Sequence, residues 1–402
     1  MEQAAADLAA LGEAVVFLDY FKALPDRRQR GKVVYPLDEV LLLALLAVLA
    51  GADGFTDIAR FGVKKPELLR RFRPFADGTP PHDTLGDIFA ALAPHAFQRC
   101  FVGWVAALTK TPAEVIAIDG KTLRCSYQKK GAKEPIHMVF AFAARQRLAL
   151  AQVKVSEKSN KIVAIPALLD MIKLEGAVIT IDAMGCQRAI AKKSKDKRAD
   201  CIIALKGNQG ALREDVELFA AEQKVNDFKD CKVSQHETVD GDHGRIETRK
   251  YTVIHDVDWL QERHNWPGLN GIVIVDSHRK IDGKLQHETR FYVTSLVSLA
   301  SVLGPMIQDH WAVENSLHCW IMDMMFRDDE CRIRAGHPPA NFTTLRHMAI
   351  NLYRKLPIQG FHAPQAENRR LGRRIPRKPS QHEFFTRFPW ASRHLRVGCY
   401  RA

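Results

Sequence analysis

"VITIDAMGCQ", residues 178–187, is the stretch on which the fold turns. Val178, Ile179, Thr180 and Ile181 favour β-structure and are nearly all apolar, as the strands of a buried sheet are. The run stops at a carboxylate, Asp182, followed by small residues. The same figure occurs earlier in "VIAIDGKTLR", from Val115, where Asp119 takes the same place. One apolar run ending in an acid is an ordinary strand-to-turn transition. Two of them, in a strongly basic chain, predict two carboxylates brought together at one edge of a sheet.

Outward from these strands the hydrophobic period divides the chain. Residues 1 to about 110 read as helical. "LDEVLLLALLAVLAG", from Leu37, has acids in its first turn and stops at Gly51. "FTDIARFGVKKPELLRRF" predicts two short helices around a turn, and "PPHDTLGDIFAAL" a helix capped by Asp83 or Thr84. "HAFQRCFVGWVAAL" is amphipathic at helical spacing. From Glu114 the period changes. "EVIAID", "IHMVFAFAA" and "RLALAQVKV" are strands, the last two forming a hairpin around Arg145–Gln146. A helix with Pro166 in its first turns follows, then "AVITID", the helical "QRAIAKKSKDK" and "ADCIIALKG". The order is β-β-β-α-β-α-β. Residues 211 to 297 give a helix and then the β-rich segments "RIETRKYTVI", "GIVIVDS" and "KLQHETRFYVTS". After Ser298 the chain reads as helical to about Lys355. The tail from Pro357 is rich in Arg and Pro with little apolar periodicity, so it is expected to be disordered or poorly packed.

Composition narrows the function classes. The 402 residues suffice for two or three domains, and 46% hydrophobic with 26% charged residues is ordinary for a soluble globular protein. The net charge of +13, from 59 basic and 46 acidic residues, favours a polyanionic partner. The eight cysteines are scattered with no CxxC pair, so neither a zinc ribbon nor a small disulfide scaffold is indicated, and reduced thiols in a cytoplasmic protein are the simplest account. The acidic N-terminus lacks the basic region of a secretory signal. The longest apolar run, from Val40, is shorter than the roughly 20 residues a bilayer span needs.

Phosphodiester chemistry with two divalent metals needs clustered carboxylates, because each ion stabilises either the attacking or the departing oxygen. Asp119 and Asp182 supply two. The third candidate is Glu314 in "DHWAVENSLHCW", from Asp309, with His310 and His318 one turn to either side on the same helix face. Spacing by itself fits an amphipathic helix with an incidental acid equally well. A zinc protease is disfavoured because HExxH is absent.

Taken in order, "IDGKTLR", "TIDAMGCQ", "ALKGNQ", "HGRIETR" and "HWAVENSLH" followed by Asp and Phe resemble the DDE transposases of bacterial insertion sequences. The resemblance is to the ISAs-type family, which includes the H-repeat-associated proteins found beside Rhs elements, and it covers about residues 15 to 355. "LPDRRQRGKVVYPL" and "PPHDTLGDIF" resemble that family's associated N-terminal domain.

The resemblance implies an α/β fold: an RNase H-like mixed-sheet catalytic domain at 111–356 with a β-rich insertion at about 211–297. An all-helical N-terminal domain, 1–110, would serve DNA recognition or assembly, and 357–402 would be a basic tail. Asp119, Asp182 and Glu314 become the catalytic and metal-binding triad for two Mg²⁺ ions, with Mn²⁺ able to substitute. The long gap between Asp182 and Glu314 fits the β-rich segment read independently. Lys121 and Lys206, just beyond strand ends, are candidates for phosphate contacts. His243, Arg245 and Arg249 in "HGRIETR" are candidates for gripping a DNA end, since alternating strand residues share a face. His310 and Asn315, beside Glu314, are candidates for orienting the carboxylate or the scissile phosphate. The implied activity is cleavage and strand transfer of insertion-sequence ends. The implied partners are double-stranded DNA, as inverted-repeat ends and as target, and a second copy in a homodimeric synaptic complex. No membrane is involved, and the location is the bacterial cytoplasm, on the nucleoid when DNA-bound. Three features depart from the family: Cys319 inserted into "LHCW", Gln308 where an arginine is common, and the Arg/Pro-rich ending. They keep open an alternative, a catalytically inactive or repurposed DNA-binding relic.

Overall fold

The computed structural model describes residues 15–109, 114–123, 136–155, 161–229, 231–242, 245–281, 284–313 and 337–355, with isolated positions 322, 326 and 333. The basic tail lies outside them. The N-terminal part is helical: α1 (Phe17–Phe21), α2 (Leu37–Leu49), α3 (Phe55–Lys64), α4 (Pro66–Arg70), α5 (His82–Ala91) and α6 (Pro94–Leu108). α2 is apolar on every side from Val40 to Leu49 and is buried throughout that stretch, as a helix without a polar face must be. Gly51, at φ +93°, turns the chain out of it. The cap expected at Asp83 or Thr84 is not there. Pro81, in extended conformation, takes the cap position ahead of both, so that α5 starts at His82, and it has no side-chain acceptor. Asp83 instead sits in the first turn, 3.0 Å from His82 Nε2.

Nine strands form one sheet: β1 (Val115–Leu123), β2 (Ile136–Ala143), β3 (Leu148–Lys154), β4 (Val178–Ile181), β5 (Asp200–Leu205), β6 (Val233–Asp242), β7 (Arg245–Ile254), β8 (Gly271–Ile281) and β9 (Lys284–Thr294). Their order is β3-β2-β1-β4-β5-β9-β8-β7-β6. β1, β2 and β3 pair antiparallel, while β4 and β5 run parallel to β1, the RNase H-like arrangement. The predicted β-rich insertion continues this sheet, because β9 pairs antiparallel with β5. β6 carries no strand signal in the sequence. It is an edge strand of mostly polar residues, "VSQHETVDGD", and edge strands carry little apolar alternation.

Burial alternates along the strands. Ile179, Ile181, Ile203, Ile254, Ile272 and Ile274 join the large core, with α7 (Lys161–Met171), α8 (Arg188–Asp196) and α9 (Gly210–Val225). Val178, Ile202, Tyr251, Val253, Val273 and Tyr292 form a second core with α11 (Ala300–Ala312), which lies on the opposite face. The short α10 (Asp258–His264) caps the β7–β8 connection. The helical stretch expected from Ser298 resolves into α11 and α12 (Pro338–Lys355), the latter opening on a Pro-Pro pair that suits a helix start. Among the described residues no helix is long and apolar enough to cross a membrane.

Candidate active site

β1 and β4 pair in parallel from Val115↔Val178 to Ile118↔Ile181. The next residue on each strand is the acid, Asp119 on one and Asp182 on the other, so both stand at the same level. Thr180 lies opposite Ala117, and Asp182 and Asp119 are each two residues further on. With side chains alternating, the two carboxylates point from the same face of neighbouring strands, which are spaced about 4.8 Å apart. Asp119 does not end its strand, as the sequence had suggested. β1 runs on to Leu123 because its other neighbour, β2, keeps pairing through Leu123↔Ile136. For the same reason Lys121 sits inside β1 rather than beyond it.

Each acid is oriented locally. Asp119 Oδ1 accepts the Gly120 N–H at 2.6 Å. Asp182 Oδ1 accepts the Gly185 N–H at 3.2 Å, closing a turn of 3₁₀-helix just after the strand. Gly185 is required there, since a Cβ would fall 2.3 Å from Ile181 Cγ2. Two residues that sequence reasoning quoted but gave no role complete this turn. Asn208 Nδ2 donates to the Ala183 carbonyl at 2.7 Å, and Gln209 Nε2 to that of Cys186 at 2.9 Å. Their polar side chains, just past the end of β5 in "KGNQ", were the available signal.

α11 crosses the same face. His310 is half-buried, with Nδ1 3.0 Å from Thr180 Oγ1, and so ties the helix to the strand that leads to Asp182. Burial pushes its pKa down, against the pull of the nearby Asp182 carboxylate and of Thr180. At the outer end Arg145 donates to Asp309 Oδ2 at 2.9 Å and pairs with Glu114. Those contacts pin α11 to the start of β1 and to the β2–β3 turn. Near its start α11 comes so close to β7 that a Cβ on Gly304 would lie 3.0 Å from the Tyr251 ring. Glu314, Asn315 and Cys319 lie outside the described residues.

The remaining candidates divide. Lys121 is buried, facing α12, where its charge lowers the pKa of His347. Lys206 is exposed just past β5. Arg249 pairs with Asp240 and, at 2.8 Å, with Glu247 Oε2. Gln308, the departure from the common arginine, donates to the same Asp240 at 2.8 Å and so links α11 to the β6–β7 hairpin. Arg245 opens β7, but its side chain and His243 are outside the described residues. The structure therefore brings Asp119, Asp182 and His310 to one face and sets Arg249 into a charge network on β6 and β7. Among the described residues no three metal-ligating side chains cluster. The two carboxylates alone offer hard oxygen donors of the kind Mg²⁺ takes.

The family description "Transposase DDE domain" matches residues 110–352, and "DDE_Tnp_1-associated" matches 18–105. The chain is 37% identical to the "H repeat-associated putative transposase YhhI" of Escherichia coli K12 over 344 residues, 83% of this chain and 89% of that one. It is 39% identical to the "Putative transposase YncI" of Escherichia coli O157:H7, over 84% of this chain and 87% of that one. A solved piggyBac transposase synaptic complex with hairpin DNA aligns with a TM-score of 0.37 and 9% identity, over 93% of this chain and 77% of that one. That likeness is too slight to bear on the reading.

Proposed function

This chain belongs to the DDE transposase family, of the H-repeat type, and we propose that it cuts and rejoins the ends of its own insertion sequence in double-stranded DNA. The reading is carried by the β1–β4 ladder, which ends level with Asp119 and Asp182 on one face. With Glu314 as third carboxylate, these residues would hold two divalent ions, Mg²⁺ or Mn²⁺. Bound there, such ions supply Lewis-acid stabilisation of charge on phosphate oxygens and make water a stronger nucleophile near neutral pH.

The chain's own groups do the rest. The Gly120 and Gly185 N–H groups each hold one oxygen of an acid against its own backbone and so fix the direction in which that carboxylate faces. The Thr180–His310 bond sets α11, the helix that precedes Glu314 in the chain, against β4. Lys206, exposed beside Asn208 and Gln209, is available to a phosphate. A phosphodiester lying across β1 and β4 would meet the acids from the face between α11 and α12. The residues matched to the associated domain would contribute to DNA recognition or assembly, with the complex acting as a homodimer on two inverted-repeat ends. The insertion, residues 211–297, would stiffen the base of α11, and the tail would add phosphate contacts.

Replacing Asp182 with Asn keeps size and polarity but removes the charge. The expected result is loss of Mg²⁺-dependent cleavage of end-bearing duplex and of joined products, with duplex affinity unchanged. Undiminished cleavage by Asp182→Asn would overturn the triad. Duplex binding by the unaltered chain with neither cleavage nor joining would instead mark it as a DNA-binding relic.

A further inference from the structure

The cations of the N-terminal helices fall into two classes. Some are committed to the fold. Arg28 donates Nε and Nη2 to Asp26 at 2.9 and 2.7 Å and Nη1 to the Tyr35 carbonyl at 2.9 Å, closing the loop between α1 and α2. Arg73 donates to Asp38 Oδ2 and to the Phe72 carbonyl, both at 2.8 Å. The Phe75 N–H donates to Glu39 Oε1, also at 2.8 Å. These bonds draw the chain after α4 against the first turn of α2, and so beside the loop that Arg28 closes.

The second class has no such work. Arg27, Arg30 and Lys32 on the loop, and Arg70 and Arg71 at the end of α4, are all exposed. Among the described residues none of the five has a carboxylate within ion-pair distance. The acids nearest in sequence, Asp26 and Asp38, are already taken by Arg28 and Arg73. Glu67, the one acid of α4, leaves the charge far from balanced. Five exposed cations distributed over two surface segments make a spread of positive charge rather than a single point, so a small anion is a poor fit. An extended polyanion fits well: duplex DNA offers a negative charge about every 1.7 Å along its axis.

We propose that this patch docks the phosphate backbone of duplex DNA without reading bases, on elements other than those that carry the acid pair. The inference rests on the reading of the chain as a DNA-acting transposase. Binding of the full-length protein to random-sequence duplex, followed by fluorescence anisotropy across a salt series, tests it. With Arg27, Arg30, Lys32, Arg70 and Arg71 all changed to Ser, the slope of log K against log salt should flatten by about 0.9 for each phosphate no longer neutralised, about 4.5 in all. Arg60→Ser is the control, since Arg60 is paired with Asp57 at 3.2 Å, and it should leave the slope as it was. If the fivefold variant does not fold, the loop triple and the α4 double should divide the change in a ratio of about three to two. A slope within about one unit of the unaltered protein's overturns the patch. So does loss of binding to anionic lipid vesicles with DNA binding unaffected. The Asp182→Asn variant separates the two readings: it should keep the full slope while losing cleavage. If it cleaves normally, the chemistry fails and the patch stands; if the unaltered chain shows no salt-dependent duplex binding, both fall.

Discussion

α11 and α12 cover the same face of the sheet on either side of the acid pair, yet different interactions hold them there. α11 buries Ala300, Leu303 and Ile307 against Val178, Ile202, Tyr251 and Tyr292. α12 buries apolar residues too, Phe342, Leu345, Met348 and Ile350 among them, but beside them it buries Asn341, Thr343, Thr344, Arg346, His347 and Asn351. Its Asn341 donates to the Phe89 and Leu92 carbonyls at 3.0 Å, and its Thr344 to Gln98 Oε1 at 3.0 Å. On the sheet side Gln152 Nε2 donates to the Ala340 carbonyl at 2.9 Å. Asn351 pairs with both the N–H and the C=O of Ala149, at 2.9 and 2.8 Å. β3 is an edge strand, and that amide occupies its edge as one rung of a further strand would. Apolar burial is non-directional and sets a distance; paired hydrogen bonds set a register. The packed length of α11 is therefore seated by apolar volume and tied by hydrogen bonds only near its end, through Gln308, Asp309 and His310, whereas α12 adds matched, buried polar groups along its length to its own apolar contacts.

The largest expected effect falls on α11. Leu303→Ala should cost about 2–5 kcal/mol, from lost burial and the cavity left behind. Urea denaturation checks it, and a cost under about 1 kcal/mol would mean that α11 is not held by its apolar side. Next comes α12. Asn351→Leu adds apolar surface but leaves the Ala149 N–H and C=O buried without partners, at a cost of about 2–4 kcal/mol. Were α12 held as α11 is, the same change would be neutral, and equal urea midpoints would erase the contrast.

The smallest effect sharpens the comparison from the other side. His347 is fully buried against Phe140, at a ring separation of 5.3 Å, and among the described residues neither ring nitrogen has a hydrogen-bond partner. Burial, with the charges of Lys121 and Arg346, pushes its pKa from 6.5 down to about 3. His347→Met should thus leave stability at pH 7 unchanged or raise it by about 1 kcal/mol. The pH dependence has a definite sign. Folded His347 stays neutral while the unfolded chain takes up a proton below about 6.5, so its contribution is whole above that pH. It is lost as pH falls toward about 3, by up to about 1.4 kcal/mol per pH unit. Burial also lowers the His310 pKa, but that group is common to both proteins and cancels in the difference. Denaturation at pH 7 and pH 5 should show a shallower acid loss in His347→Met. Parallel losses would show that His347 titrates freely.

Much of this architecture was legible because its signals are local. The apolar runs from Val115 and Val178 read as strands, and the hairpin at Arg145–Gln146 was marked by polar residues between two such runs. The all-apolar α2 announced a buried helix. β6 was not legible, since an edge strand needs no apolar face. Nor was the role of α12: "NFTTLRHMAINLYRK" reads as helix and no more, because its buried amides and hydroxyls differ from exposed ones only in the partners that distant segments bring. Asn208 and Gln209 were quoted for their motif, but their bonds to the turn after Asp182 depend on β4 and β5 lying side by side.

By itself the sequence determined that Asp119 and Asp182 each follow an apolar strand, because alternation and an abrupt carboxylate are properties of a few consecutive residues. It also determined the basic balance and the family. Tertiary structure alone decided that the two acids stand level on one face, that His310 reaches Thr180, and that the inserted strands extend the same sheet. Those outcomes depend on register between strands far apart in the chain. Register is set by ladder hydrogen bonds and by the helices packed on each face, and a shift of one residue would turn either acid to the opposite side.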